Sequence, residues 1–184
     1  MSKVYNVDEA NIKLTPLQKC GYAIGDFGNN FSWSFISAFL MYFWTDSLGI
    51  AAGTAGIIIG ASRIWDAIND PIVGRWSDHT KSKWGRYRPW ILFASLPLAV
   101  LNILCFTDFG IESAVGKIAY ATATFFILVF VYTCVNVPYS AMEAAVTLDA
   151  RERGSLATYR LFFAYTASAI ISYGTQRFVI LFGG

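Results

Sequence analysis

Apolar residues fill five stretches of this chain, and polar residues gather in short connectors between them. The stretches run from about Gly21 to Trp44, Gly53 to Trp76, Pro89 to Phe109, Ile118 to Met142 and Leu156 to Phe182. Each holds about 20 residues, the length of helix that crosses a hydrocarbon core of about 30 Å. Trp44, Trp76, Trp84 and Trp90 fall near stretch ends, where interfacial aromatics belong. The pattern predicts an all-α membrane protein. Residues 1–16 read as a polar N-terminal segment and residues 17–184 as a transmembrane domain of five spans.

Composition supports that reading. Of the 184 residues, 55% are hydrophobic and only 14% are charged, whereas soluble domains carry about 25% charged residues. Lys3, Lys13 and Lys19 lie before the first stretch, and Arg75, Lys81, Lys83, Arg86 and Arg88 lie around the second connector. Arg151, Arg153 and Arg160 accompany the fourth connector, while the first has no basic residue and the third only Lys117. Cytoplasmic loops are enriched in Lys and Arg, so the N-terminus, second connector and fourth connector are expected in the cytoplasm. Met1 to Pro16 is polar and lacks a signal-peptide pattern, so the first span is expected to remain in the membrane. Cys20, Cys105 and Cys134 lack metal-ligand spacing, and they read as small hydrophobes. His79 is the one histidine, which argues against a histidine-based active site.

Polar groups inside the stretches carry the candidate chemistry. Asp66 and Asp70 are one helical turn apart on one face of the second stretch. Each costs roughly 2.5–3.5 kcal/mol near the bilayer centre. A cation site, a shared proton, or pairing with Arg63 would each account for them, and Asn69 adds a neutral amide oxygen beside them. In the first stretch Asp26, Asn29 and Asn30 offer hydrogen-bonding groups suited to a polyhydroxylated ligand, and Gly25 and Gly28 permit close helix approach. In the fourth, Tyr132, Thr133 and Asn136 cluster one turn before Pro138, which can open the helix backbone. Glu143 reads as a structural residue near the cytoplasmic boundary, and Arg160 as either a topology charge or a ligand contact. The connector bearing Gly74, Asp78, Lys83, Arg86 and Arg88 reads as a solvated charge run or as a gate in which Asp78 pairs with basic residues when the cytoplasmic side is closed.

The segments RIWDAINDPIVGRWSD and SKWGRYRPW resemble the second span and following loop of the glycoside–pentoside–hexuronide cation symporters, sugar carriers of the major facilitator superfamily. YAIGDFGNNF and LDARERGSLATYR resemble further segments of that family, and the likeness extends from about Leu14 onward. The resemblance implies five helices of an N-terminal six-helix bundle. It also implies cation-coupling roles for Asp66, Asp70, Thr133 and Asn136, to which Asn69 is added from its place beside the two acids. Sugar-binding roles for Asn29, Asn30, Tyr132, Asn136 and Arg160 follow likewise, and Asp26 joins them from the polar cluster of the first stretch. Asn29, Asn30, Asn136 and Ser140 replace a lysine, two aspartates and a sugar-stacking tryptophan of the melibiose carrier. The lost acids shift the expected coupling ion from Na⁺ toward H⁺.

The expected function is symport of a glycoside, pentoside or hexuronide with H⁺ or Na⁺ by alternating access in the cell membrane. No cofactor, nucleic acid or resident metal is implied. The family has two six-helix halves, so the chain is expected to be the N-terminal part of a carrier that needs its remaining helices. Two rivals remain: a fragment that transports nothing, and a metal-dependent phospholipid head-group transferase using Asp66 and Asp70. The transferase would want a second acid pair, and only Asp26 stands within another span.

Overall fold

The computed structural model describes residues 13–147 and 149–182, which form helices and connectors with no strand among them. In chain order they are α1 (Pro16–Tyr42), a π-helical turn (Phe43–Ser47), α2 (Ala52–His79), α3 (Arg88–Cys105), α4 (Ala114–Val146) and α5 (Ala150–Phe182). A helix thus occupies each of the five apolar stretches. Two segments, Arg88–Cys105 and Ala114–Glu143, are by length and composition apolar enough to cross a membrane. In α2, Arg63, Asp66, Asp70, Arg75 and Asp78 dilute the apolar run.

Local chemistry sets the helix ends. Thr15 and Gln18 form a capping box: the Gln18 amide donates to Thr15 Oγ1 at 3.3 Å, and the Thr15 amide donates to Gln18 Oε1 at 2.9 Å. Pro16 then fits the first helical position, where no backbone donor is needed. At the start of α5 the Arg151 amide donates to Asp149 Oδ1 at 2.9 Å. The third helix stops at Cys105, short of the expected Phe109. Asp108 Oδ1 accepts the Gly110 amide at 2.8 Å, and Gly110 takes φ +66°, a left-handed conformation open to glycine. Helix α4, by contrast, runs unbroken through Pro138 to Val146.

The chain divides into two compact units, one formed by the residues up to Ser34 with those from Ser140 onward, the other by Phe35–Tyr139. Within the second, the edge of Trp44 meets Phe125 of α4 at 5.5 Å, and Phe35 and Phe43 pack on Phe106 at 4.8 and 5.6 Å. Lys117 Nζ donates to the Leu48 carbonyl at 2.9 Å, and the Tyr120 hydroxyl to the Leu104 carbonyl at 2.6 Å. Buried Leu128, Val129 and Thr133 continue the α4 core. Within the first unit, Ala23, Leu156, Ala167 and Ile171 are buried, and Ser34 Oγ lies 2.7 Å from Ser168 Oγ.

Large apolar side chains also face outward. Leu92, Leu96, Val100 and Ile103 line one exposed face of α3, and Leu161, Phe162, Tyr165 and Tyr173 are exposed on α5. Exposed apolar stripes with polar groups turned inward suit hydrocarbon as the surrounding medium.

Candidate functional site

In the Phe35–Tyr139 unit, Asp66 and Asp70 fall one turn apart on α2, and the Thr133 hydroxyl of α4 donates to Asp66 Oδ1 at 3.0 Å. The two carboxylates are near enough for their charges to bear on each other. Thr133 is 1% exposed, whereas Asp70 lies open. Asn69 is 3% exposed, and its Nδ2 has no hydrogen-bond partner among the described residues. Small groups bring α2 and α4 close: a Cβ at Gly74 would meet Val137 Cγ1 at 3.7 Å, ordinary contact. Tyr132 and Asn136, half-buried, sit on the same stretch of α4. Two carboxylates, one hydroxyl and a carboxamide can hold a small cation, or two carboxylates can share one proton.

The other unit holds a charge cluster. Arg160 of α5 grips both oxygens of Asp26 on α1, through Nε to Oδ2 and through Nη2 to Oδ1 at 3.3 Å, and its Nη1 donates to Glu143 Oε2. The Tyr22 ring faces the guanidinium, 5.8 Å from its carbon. Asn29 is buried one turn from Asp26, and Asn30 Nδ2 donates to the Asp26 carbonyl at 3.0 Å. The structure therefore joins the predicted Asp26 and Arg160. It adds Glu143 and Tyr22, which sequence reasoning assigned no binding role. An arginine inside an apolar helix requires acidic partners, and that requirement was the available signal.

Nearer the start of α1, Lys19 Nζ bonds Glu152 Oε2 and Ser155 Oγ, each at 2.8 Å, while the Leu14 amide reaches the same Glu152 oxygen at 3.3 Å. The Lys19 hydrogen bond holds the Glu152 carboxyl below the usual carboxylate range, and the Leu14 amide adds to it. A lowered folded pKa gives stability that is present above the unfolded value and lost as pH falls through the folded one. Thermal unfolding of wild type and Glu152→Gln should therefore differ at neutral pH, with wild type more stable. The two curves should converge in acid, below the usual carboxylate range.

Around the loop between α2 and α3, Asp78 Oδ1 accepts the Tyr87 hydroxyl at 2.8 Å, and Trp90 Nε1 donates to Thr80 Oγ1 at 2.8 Å. That bond to Asp78 raises the Tyr87 phenol above its ordinary value, assisted by burial and opposed by an Arg86 hydrogen bond. Lys83, Arg86 and Arg88 are exposed, and none forms an ion pair with Asp78 among the described residues. The same holds for metal-binding clusters: no group of three or more His, Cys, Asp or Glu is close enough to hold an ion among the described residues.

Residues 21–184 match the family described as MFS/sugar transport protein. The chain is 39% identical over 163 residues to the uncharacterized symporter YnaJ of Bacillus subtilis (strain 168), covering 88% of this chain and 35% of that protein. It is 35% identical over 167 residues to the isoprimeverose transporter of Lactiplantibacillus pentosus, 91% of this chain and 35% of the transporter. A glucuronide carrier protein homolog of Escherichia coli (strain K12) is 34% identical over 140 residues, 76% of this chain and 31% of the homolog. The chain thus spans about a third of the length of these curated relatives.

Proposed function

This chain belongs to the MFS/sugar transport protein family, and from that premise we propose that it supplies the ion-coupling helices of a sugar symporter in the cell membrane. The family is one of transporters and not enzymes, which removes the head-group-transferase reading. The five helices each cross the bilayer, with the N-terminus in the cytoplasm. Helices beyond this chain complete the carrier.

The observation that carries the reading is the aspartate pair of α2 joined to α4 through Thr133. Two adjacent carboxylates repel, and binding one cation relieves both the repulsion and the desolvation cost. The ion taken is H⁺. With Asn136 in place of an acid, two carboxylates and a hydroxyl donating its proton suit proton sharing better than a fully coordinated Na⁺. Asp26, Asn29, Asn30 and Arg160 bind the sugar. Asp78, Tyr87 and the basic residues after α2 gate the cytoplasmic side. A chain that transports nothing alone fits its share of the relatives' length, so the test uses the longer carrier that contains it.

Adding sugar to lightly buffered cells expressing that carrier should raise external pH as protons enter, in Na⁺-free medium. Sugar entry that requires Na⁺ and leaves pH unchanged would replace H⁺ by Na⁺ and leave the symport reading standing. Sugar entry indifferent to both ions would refute it.

A further inference from the structure

Arg160 bears on the charge of the sugar. A guanidinium inside a carrier is a natural receptor for a carboxylate, because its planar fork matches two oxygens. In this structure that fork is committed: Asp26 takes Nε and Nη2, and Glu143 takes Nη1. The three side chains are 18% (Arg160), 7% (Asp26) and 22% (Glu143) exposed, so the cluster lies largely outside water. One positive and two negative groups leave it with a surplus negative charge. Lys19, about two turns before Asp26 on α1, is itself bound to Glu152 and brings no surplus positive charge.

We infer that the carrier built from this chain selects neutral sugars and rejects hexuronates, because the Asp26–Arg160–Glu143 cluster presents net negative charge where Arg160 would otherwise receive a carboxylate. The inference rests on the proposed sugar-carrier function and narrows its substrate class. A hexuronate carboxylate accepts hydrogen bonds and donates none. To reach Arg160 it must displace Asp26 or Glu143 and strand a buried acid, or sit beside both and be repelled in a low dielectric. A neutral sugar escapes both costs. Its hydroxyls donate to the remaining lone pairs of Asp26 and Glu143. Relatives of this chain are named for both kinds of cargo, an isoprimeverose transporter and a glucuronide carrier homolog, so the family alone does not decide the class.

The test is counterflow by the full-length carrier in proteoliposomes, using methyl hexosides beside the methyl hexuronides that carry a carboxylate at C6, with methyl pentosides as further neutral sugars. Neutral glycosides should be taken up with kcat/KM at least about tenfold above any acidic partner. Glu143→Gln removes the surplus charge and should narrow the ratio about tenfold by raising hexuronate uptake. Uptake of a hexuronate equal to or above that of its neutral partner by wild type would overturn the inference and leave the carrier reading intact. An unchanged ratio in Glu143→Gln, with normal insertion and yield, would overturn the role of the cluster. Uptake of neither class, with the carrier correctly inserted, would defeat the carrier reading itself. Should Glu143→Gln fail to fold, the wild-type ranking still decides.

Discussion

Asp66→Asn is expected to lower ion-driven sugar accumulation about 100-fold, a coupling loss of roughly 2.7 kcal/mol. The substitution keeps the shape of the side chain and removes its capacity to bind a proton. The Thr133 hydroxyl that donates to Asp66 Oδ1 at 3.0 Å can still donate to an amide oxygen, so the α2–α4 contact survives. What disappears is the carboxylate pair. Asp70 alone no longer feels the repulsion that makes ion binding favourable, and sugar movement is uncoupled from the gradient. Asp70→Asn should act in the same direction by the same argument. Downhill sugar exchange, measured with equal ion concentrations on both sides, should persist in both variants. Accumulation against a gradient at wild-type levels in either variant would remove the pair from the coupling site.

The second large effect concerns folding. Arg160→Met is expected to destabilise the protein by about 3–5 kcal/mol, because it leaves Asp26 and Glu143 charged, poorly hydrated and unpaired. Much of that loss is the stranded acids, not the arginine itself. Neutralising them as well, in the triple variant Asp26→Asn, Glu143→Gln, Arg160→Met, should therefore recover most of the stability while leaving sugar uptake impaired. Thermal unfolding of the detergent-purified protein reports the first outcome, and counterflow the second. A single variant as stable as wild type would show that Arg160 is not held by the two acids in the folded protein.

Much of the fold was legible because apolar runs and polar connectors alternate so regularly. The helices α2, α4 and α5 cover their apolar stretches and extend past them by up to six residues, and α1 starts before its stretch but leaves Phe43 and Trp44 to the π-helical turn, since Thr15, Asp149 and similar caps lie beyond the apolar run. The exception is α3, where apolar Phe106 and Phe109 resemble helix continuation. There Asp108 captures the Gly110 amide, and the Phe106 ring turns onto Phe35 and Phe43. Periodicity carries no information about such a capture. The π-helical turn at Phe43–Ser47 was equally invisible, being a backbone choice made by packing around Trp44.

The candidate chemistry was legible by half. Asp66 and Asp70 announced themselves through their cost, and the structure supplies Thr133 at hydrogen-bonding distance. Glu143 did not, because an acid near a span end has an ordinary explanation in solvent. Its contact with Arg160 joins residues 17 apart in sequence, and that of Asp26 with Arg160 joins residues 134 apart. No local pattern reports pairings of that range. At the end of α2, Asp78 accepts the Tyr87 phenol at 2.8 Å, a contact that the run of charges did not announce.

Linkage reports whether the Asp66–Asp70 pair binds the coupling ion. Sugar affinity of the purified full-length carrier would be measured by calorimetry across pH, and again across Na⁺ concentration, for wild type and Asp66→Asn. Coupling is reciprocal, so an ion bound at the pair must tighten sugar binding in wild type, and the dependence must vanish in the variant. The account predicts a wild-type Kd that falls as protons bind and a variant Kd that is flat. The same ion dependence in both proteins would contradict it.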